Sequence, residues 1–304
     1  MAQSHDKGDF RLMSTLIFTG DCGPLEHWPP YNGVPYKSMP TAIVRICTNE
    51  GMVIAADGRE LRGYSEVTSE ETQKIFPIPN APVAYAVFGS TGMSIGGDNP
   101  NRINFIEEAQ KAQSLVSLDK CHDLFQYVER FSQPIQERLS LWRIGSTTLF
   151  PPGAEEPGQP GNTILHLFFF GYHRGVVETI DLRFYHRYHI LSKPLITPID
   201  VEIGYPVWVR GSKIVAAILF DSDDEKLSKY RVPFPKNPAE LTADIAAKIA
   251  SGYIEACCSD FGRELDPIST KGIGGHIHIA KITPKAFEWI VPPLKAIPLP
   301  TQKP

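Results

Sequence analysis

A short apolar strand, a tight turn and a second apolar strand open the patterned part of this chain: Thr41-Ala-Ile-Val-Arg-Ile-Cys-Thr-Asn-Glu-Gly-Met-Val-Ile-Ala-Ala-Asp57. Asn49-Glu50-Gly51 separates two β-branched runs, which is a hairpin signal. A second pair follows, Lys74–Ile78 and Val83–Phe88, divided by a turn at Asn80-Ala81-Pro82. Both faces of these strands read as apolar, so the sheet they form needs cover on both sides.

The rest of the chain alternates in type. Leu124, Val128, Phe131, Ile135, Leu139 and Trp142 step by three and four residues, a helical stripe, with Pro134 placed to kink or divide it. The segment 151–160, rich in Pro and Gly, is a loop. Thr163–Phe170 and Val176–Tyr185 form a second β block around His173-Arg174-Gly175. A short helix is predicted from Ser212. A longer one is predicted to open at Asn237-Pro238-Ala239-Glu240, a capping pattern, and to bury Ile245, Ile249, Tyr253 and Ala256. Gly275–Lys281 is a late strand. Strands, helices, strands, helices and a closing strand fit two sheets between helix layers in one domain over 41–290. Residues 1–40, punctuated by proline, read as an extended leader, and 291–304 as a proline-rich extended tail.

Composition narrows the function classes. A net charge of -4 with no basic stripe gives no footprint for nucleic acid. No apolar run reaches the roughly 18–20 residues of a membrane span, and the N-terminus lacks a secretory h-region. Five scattered cysteines, Cys22, Cys47, Cys121, Cys257 and Cys258, without a CxxC pair, point to free thiols and a cytoplasmic setting. Phosphate-loop and dinucleotide fingerprints are absent. His276/His278 and His186/His189 fall short of the three or four converging ligands zinc requires. No metal or cofactor is expected.

The stretch Thr41–Gly63, with Glu71-Thr-Gln-Lys74-Ile-Phe and Val83-Ala-Tyr-Ala-Val-Phe-Gly89, resembles the opening of proteasome β-type subunits and their bacterial relatives. The likeness covers roughly 41–92, weakens over 162–182 and 205–220, and returns at Gly274-Gly275-His-Ile-His-Ile-Ala. It implies an α+β, four-layer αββα sandwich of the N-terminal-nucleophile (Ntn) hydrolase type. It also implies a threonine peptidase acting on peptide or unfolded-protein substrates, assembled as a homo-oligomeric ring. Thr41 takes the place of the nucleophile, Asp57 and Lys74 of its charged partners, and Gly89 of the oxyanion-hole donor. Ser212 takes the place of the serine supporting the nucleophile's amine. Arg59 and Gly63 fall in register, and Val87 and Leu61 line the substrate pocket, Val87 giving it an apolar wall. The family's closing aspartate and serine fall at Thr270 and Ile273. Pro40 precedes the nucleophile and Lys213 follows Ser212, where relatives carry glycine.

Threonine needs activation. A free α-amine, with a pKa of about 7.7–8.0, can take the hydroxyl proton near neutrality. A lysine paired with Asp57 favours the alkoxide, and a backbone N–H at Gly89 stabilises the tetrahedral oxyanion by roughly 3 kcal/mol. Two other readings stay open: a catalytically silent structural subunit of the same fold, and a non-peptidase amidohydrolase.

Overall fold

The computed structural model describes residues 41–62, 66–89, 91–93, 103–144, 147–148, 162–187, 190–199, 207–222 and 224–298. The leader 1–40 with Cys22, Gly63, the loop 151–160, His189 and the tail beyond 298 lie outside the described residues. The main elements in chain order are β1 (Ile43–Thr48), β2 (Gly51–Ala56), β3 (Ile75–Pro77), β4 (Val83–Phe88), α1 (Phe105–Leu115) and α2 (Leu124–Ser140). Then come β5 (Asn162–His173), β6 (Val176–Arg187), β7 (Ile190–Leu191), β8 (Leu195–Pro198), β9 (Val207–Arg210) and α3 (Lys213–Asp221). The chain closes with α4 (Ala243–Cys258), α5 (Asp260–Leu265), β10 (His278–Ile282) and β11 (Phe287–Val291).

The fold is α+β, with antiparallel sheets. One sheet runs β9-β1-β2-β10-β11, and the other runs β7-β6-β5-β4-β3 with β8 also paired to β6. Strand alternation sorts the apolar residues into three clusters. Ile43 and Ile54 of the first sheet meet Ile75, Ala84, Ala86, Phe168 and Phe170 of the second. Their alternates Val44, Val53 and Ala55 pack instead with Val215 and Leu219 of α3 and Ile249 and Tyr253 of α4. On the second sheet Val83, Tyr85, Leu167 and Phe169 pack with Phe105 of α1 and Phe131 and Ile135 of α2. Each large side chain so buried contributes about 1.5–3 kcal/mol.

The stripe Leu124 to Leu139 is buried along α2, and the helix is not divided at Pro134. The long helix starts later than its capping pattern predicts. Asn237 caps only a single 3-10 turn, Pro238–Glu240, and the Thr242 hydroxyl caps α4 by accepting from the Ile245 N–H. Strands β5 and β6 outrun their predicted ends and pair from Asn162↔His186 to His173↔Val176. Residues 292–298 of the tail carry no helix or strand. The tail has a place on its own chain, since the Ile297 N–H donates to Gln73 Oε1 at 2.8 Å and the Ile297 side chain packs beside the α1/α2 cluster.

Candidate functional site

Hairpin arithmetic assembles the first two members. With its turn at Asn49 and Glu50, the β1–β2 ladder pairs Thr48 with Gly51 and Ile43 with Ala56. Continuing one step, the Asp57 N–H donates to the Ala42 carbonyl at 3.3 Å. Asp57 therefore arrives beside the start of β1. Its Oδ1 accepts from the Ala42 N–H at 2.8 Å and from Lys74 Nζ at 3.1 Å. Its Oδ2 accepts from the N–H groups of Gly274 at 3.1 Å and Arg59 at 3.3 Å. Burial pushes this carboxyl up from its ordinary value, against the pull of Lys74 and the two backbone N–H groups of Ala42 and Gly274. Four N–H donors converge on its two oxygens, an arrangement that favours the charged form against that burial.

Lys74 immediately precedes β3. Its carbonyl takes the Val87 N–H at 2.9 Å, and its N–H donates to His278 Nε2 at 3.0 Å. Accepting there requires Nε2 to be bare, so the ring is neutral with its proton on Nδ1. Burial, then the Lys74 charge, hold the His278 pKa down to about 3. The Lys74 side chain spans to the first sheet, where Nζ donates to Thr41 Oγ1 at 3.3 Å as well as to Asp57. Thr41, Asp57 and Lys74 are all buried, none more than 1% exposed.

Thr41 lines a small recess, with about 10 Å³ of free space, together with Arg59, Glu60, Leu61, Gly89, Thr91 and Gly272. Free space of this size is on the order of one water molecule. Gly89 sits at its wall with φ 84, in the left-handed region that favours glycine. Leu61 lines the recess as expected. Val87 does not: it alternates with Ala86 and points with Tyr85 into the cluster under α1 and α2. The wall is mixed: beside Leu61, Glu60 accepts from the hydroxyls of Thr91 at 2.6 Å and Thr72 at 3.1 Å. Arg59 is engaged by Glu70 at 2.9 Å and by the Ile273 carbonyl at 3.2 Å.

Ser212 reaches the same end of the first sheet, since Arg210 pairs with Ile43 and Gly211 lies against Ala42. Its buried hydroxyl caps α3 by accepting from Val215 N–H at 3.1 Å, and donates to Asp266 Oδ2 at 2.8 Å. Asp266, rather than Thr270 or Ile273, is the residue that bonds Ser212, and the bonds of Ser212 run to Val215 and Asp266 rather than to Thr41. Thr270 donates to the Asp266 carbonyl, while the Ile273 side chain is buried in the α3/α4 cluster. Lys213 is exposed and does not line the recess. His278, which bonds the Lys74 N–H, and Gly272 and Glu60, which line the recess, are neighbours of the cluster that the sequence reading did not assign to it.

Among the described residues no group of three or more His, Cys, Asp or Glu is arranged to hold a metal, and no helix is long and apolar enough to cross a membrane. No protein-family profile matches the chain, and no curated protein matches it.

Proposed function

We propose that this chain is a threonine-type amidohydrolase of the proteasome-like Ntn class, built on an αββα sandwich, cleaving peptide bonds with Thr41 as nucleophile. The buried Lys74 ammonium bridging Thr41 Oγ1 and Asp57 Oδ1 carries the reading. A structural pair needs only the carboxylate. The second bond polarises a hydroxyl lining a recess, which suits a nucleophile.

Activity requires loss of residues 1–40, because the Thr41 nitrogen is otherwise an amide and holds no lone pair for a proton. With the amine free, it takes the Oγ1 proton and the alkoxide oxygen attacks the substrate carbonyl. Lys74 favours the developing charge, and a Gly89 N–H receives the oxyanion. The C–N bond then breaks, and the amine's proton passes to the leaving nitrogen. Water finally hydrolyses the threonine ester, freeing the acid and restoring the hydroxyl. A ring of identical subunits belongs to the same proposal, and light scattering tests it.

A chain beginning at Thr41 should cleave members of a broad peptide library, and Thr41→Ala should abolish cleavage with the fold retained. Should the folded Thr41 chain prove inert, the silent structural reading, which the near-complete burial of Thr41 favours, replaces this one. Activity of the full-length chain without loss of mass would place the chemistry elsewhere.

A further inference from the structure

Residues 292–298 turn back over the body of the molecule. Pro292 and Pro293 have no N–H to extend β11. The His276 ring Nε2–H donates to the Pro292 carbonyl at 2.8 Å, and Pro293 is buried. Lys295 meets the Glu71 carboxylate at 2.6 Å, an exposed pair of little energetic weight. Ile297 donates its N–H to Gln73 Oε1 at 2.8 Å, and Gln110 of α1 donates to the Pro298 carbonyl at 3.4 Å.

Gln73 is only 3% exposed, and its Nε2 donates to the Ile75 carbonyl at 2.7 Å. One amide side chain therefore links the residues on either side of Lys74, and the strap holds that amide. From the other side, Lys74 is fixed through its own N–H to His278 and its carbonyl to Val87.

We infer that the C-terminal strap, acting through Gln73 as a positioning residue, sets the place of Lys74 relative to Thr41 and Asp57. The catalytic consequence rests on the threonine-hydrolase reading, whereas the structural one does not. A lysine side chain has four rotatable bonds, so its Nζ is placed only as well as its backbone is anchored. Misplacement of a reacting group by about 1 Å costs on the order of 10²-fold in rate. Loss of the strap's bond also leaves Gln73 Oε1 buried without its partner, which costs more than the bond itself contributes.

Ile297→Pro removes the one N–H while keeping an apolar body, in a segment already free of regular structure. Ile297→Val keeps the N–H and serves as the control, and truncation after Val291 removes the whole strap. In the full chain, hydrogen exchange over residues 70–78 should quicken about tenfold in Ile297→Pro and in the truncation, and stay unchanged in Ile297→Val. Unchanged exchange in Ile297→Pro overturns the inference. In the chain with the Thr41 amine exposed, kcat should fall about tenfold in Ile297→Pro with KM within about twofold, and Ile297→Val should match the parent. A drop in Tm with kcat and KM both intact assigns the strap to stability alone and also overturns the inference. If the unsubstituted chain cleaves nothing, the hydrolase reading falls, and the exchange result alone decides what the strap does.

Discussion

Lys74 and Asp57 face each other where water does not reach, so each makes the other tolerable. Lys74→Met leaves Asp57 charged with backbone donors only, and Asp57→Asn leaves a buried ammonium with no opposite charge. Each single change should cost about 3–5 kcal/mol in urea unfolding. The double variant should cost clearly less than the two added together, since it removes both charges; additive losses would mean the pair is not coupled. His278 gives a pH signature. Its folded pKa of about 3 lies below the ordinary histidine value, so between the two the unfolded chain binds a proton that the fold refuses. Stability is therefore full above about pH 6.5 and declines as pH falls toward 3, by about 2 kcal/mol at pH 5 from this residue. His166, bonded to Asp181 and held down to about 4 chiefly by burial, adds a similar share over most of that window. Unfolding midpoints at pH 7 and 5 should show the decline, roughly halved in His278→Gln. An equal slope in that variant would clear His278 of the effect.

At the scale of elements, two serine or threonine caps can be told apart. Thr242 only starts α4, so Thr242→Ala should cost about 1 kcal/mol. Ser212 caps α3 and also holds Asp266, so Ser212→Ala should cost about 2–3 kcal/mol, a difference thermal unfolding resolves. The α2 stripe and the β1–β2 hairpin were legible in the sequence, because a 3.6-residue period and a tight turn each leave a local mark. Asp57's meeting with β1 follows from the hairpin, and Lys74 and Gly89 came from resemblance. Three features were not legible. The start of α4 turned on a competition between Asn237 and Thr242 that only packing decides. Val87 faces the helices because strand alternation fixes faces but does not say which face the site occupies. Asp266 reaches Ser212 from the end of α5, a position set by the α4–α5 corner and not by any string of residues.

At the scale of the molecule, three apolar clusters sit on the two sheets, and the one between the sheets ties the Thr41 side to the Lys74 side. Phe168, fully buried there, touches Phe88, Phe170 and Trp208. Phe168→Ala should cost about 3–5 kcal/mol, and if the cluster aligns the sheets, exchange at Lys74 should rise in step. A loss of stability with Lys74 still protected would show that the ladders alone hold the sheets in place. The site is drawn from distant parts of the chain. Asp57 receives the Gly274 N–H from 217 residues further along, and β10 pairs with β2 only after nearly everything else has been made. During synthesis at about 5–20 residues per second, that separation amounts to roughly 10–40 s. Over that interval Thr41 and Asp57 have left the ribosome, but the N–H that completes the carboxylate and the histidine behind Lys74 do not yet exist. The cluster is therefore timed by its own topology: a growing chain carries Thr41, Asp57 and Lys74 early and the groups that hold Asp57 and Lys74 in place late.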